Sequence, residues 1–163
     1  DRRQRQMCIR DRSHDELAAE GHLYMDDGQT FAYRDDQAFL ARKFTLARDG
    51  PGHLRLASTS LTGRDIHTSA SSTALQVPGN AYEQETSSVR VERIIVYGLP
   101  EVHRIIARDA HGHETSLAFT YTSGTSRSPT ASDASARLAS RLEIRDPRVL
   151  IGQDWSILME IAP

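Results

Sequence analysis

Gly21-His22-Leu23-Tyr24-Met25-Asp26-Asp27-Gly28-Gln29-Thr30-Phe31-Ala32-Tyr33, followed closely by Phe39-Leu40-Ala41-Arg42-Lys43-Phe44, is the stretch whose reading decides the fold. Its first residues alternate apolar and polar, the period of a strand with one face buried. Asp26-Asp27-Gly28 then punctuates the pattern. Aspartate side chains bond nearby backbone N–H groups, and glycine accepts a positive φ, so the triplet is a turn. Apolar residues on both sides predict a hairpin, with residues 29–33 as an aromatic return strand. Asp35-Asp36-Gln37 is a second polar turn, and residues 38–47 form a long strand with Phe44 and Leu46 on one face.

Working outward, Asp49-Gly50-Pro51-Gly52 is a strong turn before the alternating Leu54-Arg55-Leu56. Residues 58–88 are rich in Ser, Thr, Gly and Asn and read as a long loop. Residues 89–98 begin by alternating and become continuously apolar at Ile94-Ile95-Val96, as a strand covered on both faces does. This is expected to be the best core strand, broken by Leu99-Pro100. Residues 102–107 form the next strand, 109–113 its turn, and 116–121 pair back. Residues 122–140 are low in complexity, with a helical turn expected near Asp133. Short strands follow at 142–145 and 149–151, separated by Asp146-Pro147. Trp155-Ser156-Ile157-Leu158-Met159-Glu160-Ile161 closes the chain as an alternating strand. Upstream, residues 13–20 are polar, with a cap at Ser13, and Gly21 is expected to end them. The sum is an all-β antiparallel β-sandwich of about eight strands, with two long loop insertions and almost no helical period.

The first residues stand apart. Residues 2–12 resemble the in-frame translation of a transposase-type sequencing-library adapter, and residues 1–12 are expected to be a non-native scar or a disordered tail. A basic nucleic-acid-binding arm is the alternative reading. Five Arg and two Asp lie in this run, so residues 13–163 hold 15 basic against 20 acidic residues, a net charge of −5. That balance argues against a polyanionic partner such as nucleic acid. Cys8, the only cysteine, also lies there, which leaves the remainder without a thiol ligand or disulfide. No apolar run approaches the ~20 residues that span a bilayer, and no apolar segment of a secretory signal follows the basic start. No membrane association is expected.

Candidate sites are few. Asp26 and Asp27 could act as acid and base or as calcium ligands. Paired glycosidase carboxylates lie on separate elements across a sugar, however, and calcium takes 6–8 oxygens. The pair is better read as side-chain caps of a turn. His111, His113 and Glu114 could hold a metal, but no second cluster completes a zinc set. Gly50-Pro51-Gly52 lacks the lysine and helix of a phosphate cradle, and no Gly-x-Ser-x-Gly elbow occurs. Trp155, Tyr24, Phe31 and Tyr33 could form a sugar-stacking platform, or they could be core aromatics. The reading assigns no catalytic residue, cofactor or metal, and makes Asp26, Asp27, Gly28 and Trp155 structural landmarks.

Residues 23–33 and 39–44 together resemble the start of the distal C-terminal β-domain of glycoside hydrolase family 31 α-glucosidases. Val91-Glu92-Arg93-Ile94-Ile95-Val96-Tyr97-Gly98 and Asp154-Trp155-Ser156-Ile157 agree in order. The likeness covers roughly residues 13–161, departing at about 68–88 and 122–140, where this chain looks longer. It implies that residues 13–163 are a structural domain packed behind a catalytic barrel and a proximal β-domain. The barrel would carry the nucleophilic and acid/base aspartates of a retaining α-glucosidase. No segment here matches that barrel, so the chain is expected to be an inactive fragment of such an enzyme. Resemblance to one member of that family implies N-glycan trimming in the endoplasmic reticulum lumen beside a lectin-bearing β subunit. A carbohydrate-binding module and a subunit-interaction domain are the alternatives.

Overall fold

The computed structural model describes residues 10–11, 17–35, 38–61, 86, 88–124 and 139–162. Ten strands and one short helix follow in order: β1 (Arg10–Asp11), β2 (Ala19–Met25), α1 (Ala32–Asp35), β3 (Leu40–Arg48), β4 (His53–Ser60), β5 (Arg93–Tyr97), β6 (Val102–Arg108), β7 (Glu114–Ser116), β8 (Phe119–Thr122), β9 (Arg141–Arg145) and β10 (Trp155–Ile161). They make a seven-stranded sheet, β1-β2-β3-β4-β10-β6-β7, and a three-stranded sheet, β5-β9-β8. Each adjacent pair is antiparallel. The expected all-β sandwich is borne out.

β10 is the spine of the larger sheet. Ile157 sits opposite Leu56 on one side and Ala107 on the other. Its alternation turns Trp155, Ile157, Met159 and Ile161 into the core. Phe44 and Leu46 of β3, and Leu54 and Leu56 of β4, share that core. Leu142 and Ile144 of β9, both without solvent exposure, meet it from the smaller sheet. The chain passes from the small to the large sheet between β5 and β6, and the Leu99 carbonyl there accepts hydrogen bonds from Tyr121 and Ser140. Gly98, at φ +79°, gives the sharp exit from β5.

Several local expectations are corrected. Asp26-Asp27-Gly28 does not close a hairpin. β2 pairs with β3, Met25 facing Leu40, and residues 26–39 form the connection between them. Part of the expected aromatic strand is α1 instead. Gly21 ends nothing; it lies within β2. The strand at residues 93–97 is not covered on both faces. It is an edge of the smaller sheet, with Ile95 37% and Tyr97 62% exposed. Residues 114–116 pair back on β6 and the Leu117 amide still donates to the Ile105 carbonyl, while residues 119–122 cross to pair with β9. Residues 149–151 form no strand, only an isolated bridge from Leu150 to Arg90. Arg10 and Asp11 pair with Glu20 and Ala19. Most of the two insertions, at 62–85 and 125–138 and including the turn near Asp133, lies outside the described residues.

The outer face of β9 carries a charge cluster that sequence reading passed over. Glu143 is buried there, its carboxylate contacting Arg141 at 2.6 Å, Arg145 at 2.8 Å and Arg93 at 3.4 Å. The bond from Arg141, then that from Arg145, holds the Glu143 carboxyl below its ordinary value. Its stabilisation is therefore complete above the ordinary carboxylate range and fades as pH falls through the lowered value. Glu143→Gln should lower the melting temperature at neutral pH and flatten its decline on acidification. A decline as steep as the parent's would show that Glu143 is not the group being titrated.

Candidate functional site

The Asp26–Gly28 loop is a capped turn, though not a hairpin. The Gly28 amide donates to Asp26 Oδ1 at 2.9 Å. Asp27 Oδ1 accepts from the amides of Gln29 and Thr30, both at 3.1 Å, and Asp27 Oδ2 accepts from the Thr30 hydroxyl. The Thr30 side chain leads these bonds, followed by its amide, in holding the Asp27 carboxyl below its ordinary value. A carboxylate so engaged is a local cap, poorly suited to accept a proton near neutral pH. Gly28 has φ +64°, the left-handed conformation the turn requires.

The aromatic residues divide into two environments. Trp155 is buried with its ring 5.9 Å from that of Phe44, so it belongs to the core and cannot join a surface platform. Tyr24, Phe31 and Tyr33 are exposed. Tyr24 stacks on Phe39 at 5.4 Å, and Phe31 lies 6.2 Å from Tyr33. The platform expected from sequence therefore loses its tryptophan and keeps its other three members at the surface.

Beside Trp155 lies a junction that sequence reasoning missed. Arg42 follows the inward phase of Leu40, Phe44 and Leu46, and its side chain is only 1% exposed. Its Nε and Nη2 donate to Ser58 Oγ at 3.1 and 3.0 Å. Nη2 also reaches the Gln153 carbonyl at 2.5 Å and Asp154 Oδ1 at 2.8 Å. The Ser60 amide donates to that same Asp154 oxygen at 2.9 Å. One guanidinium thus ties β3 and β4 to the turn entering β10. The signal was present in sequence as a charge at a core-phase position and an aspartate directly before the tryptophan.

A cleft of about 220 Å³ opens next to this junction, lined by Asp109, His111, Arg148, Gln153, Asp154 and Trp155 among others. Asp109 Oδ1 accepts from the amides of His111 and His113, and Asp109 Oδ2 lies 3.2 Å from His113 Nδ1. Burial pushes the Asp109 carboxyl upward, but the bonds from His113 and His111 outweigh it and leave the group below its ordinary value. His111 and His113 rings stand 6.2 Å apart. Among the described residues, no three His, Cys, Asp or Glu side chains gather as a metal site would require. Trp155 Nε1 is buried and makes no hydrogen bond among the described residues. Among the described residues the cleft pairs no nucleophile with a base, and the Asp109 and Asp154 carboxylates are engaged in holding the backbone.

Comparison with known proteins gives direction where the geometry stops. No family model matches the chain. Neutral alpha-glucosidase AB of Homo sapiens is 24% identical over 139 residues, covering 85% of this chain and 11% of that protein. The chain is similar to a glucosidase. The Glc1Man2-bound glucosidase II alpha subunit superposes with a TM-score of 0.59 at 24% identity, over 89% of this chain and 13% of its own. The catalytic subunit in an ER glucosidase II complex with the binding domain of its regulatory subunit gives 0.60 at 23%. The likeness drawn from three segments of sequence is borne out by these matches. They share the two-sheet fold, and the chain spans only 11–13% of the relatives' length.

Two stability measurements separate the landmarks. Gly28→Val should cost about 1–2 kcal/mol, because a β-branched residue is forced into the left-handed region. Asp27→Ala should cost less, and equal melting temperatures for the two variants would count against this. Asp154→Ala should cost about 1–2 kcal/mol in a urea melt, since it leaves the buried Arg42 charge short of a partner. Asp35→Ala, which removes an exposed contact with Arg34, should change stability by less than about 0.5 kcal/mol.

Proposed function

We propose that residues 13–163 are the distal C-terminal β-domain of a glycoside hydrolase of family 31, and that the domain's task is structural. It packs behind a catalytic barrel and a proximal β-domain supplied by the rest of such an enzyme. The barrel removes terminal α-linked glucose by a retaining mechanism, trimming N-linked glycans in the endoplasmic reticulum lumen. A glucosidase II β subunit is the partner this reading implies. The supporting observation is the coverage of the match: nearly all of this chain corresponds to a small part of glucosidases that are far longer. The catalytic aspartates of this reading lie outside residues 13–163.

The locus itself provides the test. Sequencing genomic DNA upstream of the Ser13 codon from an independent library should replace the text of residues 2–12 with coding sequence for a proximal β-domain and, before it, a barrel. Recovery of the same Arg-rich text would sink that part of the reading. The 163-residue chain alone should leave a chromogenic α-glucoside unhydrolysed, and clear turnover would overturn the scaffold role.

A second reading, a carbohydrate-binding surface, is favoured by one observation, the exposure of Tyr24, Phe31 and Tyr33. Malto-oligosaccharide should then shift their resonances and lose affinity on Tyr24→Ala. An unchanged spectrum would leave the scaffold role alone.

A further inference from the structure

The outer face of the smaller sheet gathers arginines around a single carboxylate. Register places Arg141, Glu143 and Arg145 of β9 beside Tyr97, Ile95 and Arg93 of β5. Thr120 and Thr122 of β8 complete the face. Three arginines surround one glutamate, an excess of two positive charges on a chain whose formal net charge is −2. The overall acidity, which argues against diffuse attraction to a polyanion, therefore does not describe this face.

The chemistry of the cluster is directional. A guanidinium carries five N–H donors, more than a shared carboxylate can accept when three such groups crowd it. Arg93 and Arg145 remain more than half exposed. Glu143 nonetheless contacts all three and fixes where each one sits. Side chains already ordered in the free protein lose less entropy on binding. Exposed Tyr97 and Ile95 lie in the same patch, and tyrosine and arginine are among the residues enriched at interface hot spots.

We propose that this face docks a carboxylate-rich segment of a partner protein, its acidic side chains bridging Arg93 and Arg145 across Glu143 while its apolar atoms cover Tyr97 and Ile95. Arginine forks bind carboxylates in paired geometry, and the surplus charge selects an acidic surface over a neutral one. This face would recognise such a segment whatever the parentage of the chain.

The test uses the full 163-residue chain, labelled so that the Nε–Hε signals of its arginines are resolved, titrated with a synthetic peptide of mixed Glu and Tyr. The signals of Arg93, Arg141 and Arg145 should shift together and should return as salt is added. Arg93→Gln with Arg145→Gln should weaken binding at least tenfold. Arg104→Gln, whose parent residue contacts Glu160 on the other sheet, should leave it unchanged. Shifts confined to the arginines of residues 2–12, or equal weakening by Arg104→Gln, would overturn the proposal. So would an absence of binding. The titration of the unaltered chain decides the matter even if the double variant fails to fold.

Discussion

A charged side chain on the core side of a strand is the constraint on which the larger sheet depends. Arg42 cannot stay buried unless its guanidinium is bonded, since an unpartnered charge in that setting is far costlier than any packing gain. Its partners come from β4 and from the turn before β10, so satisfying them fixes where those elements meet. Ser58 supplies the hydroxyl and also lies opposite both Phe44 and Trp155. The apolar core and the polar junction are thus joined at one residue. If β10 moved by one position, Trp155 would turn outward and Asp154 would lose the guanidinium at the same time.

The same reasoning explains the quiet chemistry of the acidic landmarks. Asp26, Asp27, Asp109 and Asp154 all spend carboxylate oxygens on backbone amides or on Arg42. Each of them closes a turn or secures a strand end. These aspartates therefore serve to organise loops.

Much of the fold was legible, and the reason is physical. Trp155–Ile161 and Leu40–Arg48 alternate cleanly, and alternation reports which side chains share a face. It does not report whether that face is covered. Ile95 and Tyr97 look like core in the sequence, yet no third layer of the described structure lies over the outer face of the small sheet. The Asp-Asp-Gly turn was read correctly as chemistry and wrongly as topology. Side-chain caps specify a local bend, while pairing partners are chosen by the longer apolar strands on either side. Arg42 and Glu143 were missed because an isolated charge in a strand usually points to solvent. Only the partners, distant or on neighbouring strands, reveal these two as buried.

One feature of the topology bears on how the domain is made. β10, last in order among the strands, lies between β4 and β6. Until it arrives, those two strands each present an unpaired edge beside a half-open core, the condition in which edges find partners in other molecules. Nearly a hundred residues separate β4 from β10, so closing the sheet is a late, non-local event of the kind that slows folding. Emergence of β10 is thus the step that converts two separate strand groups into one sheet, and a nascent chain halted before it is exposed to aggregation rather than merely incomplete.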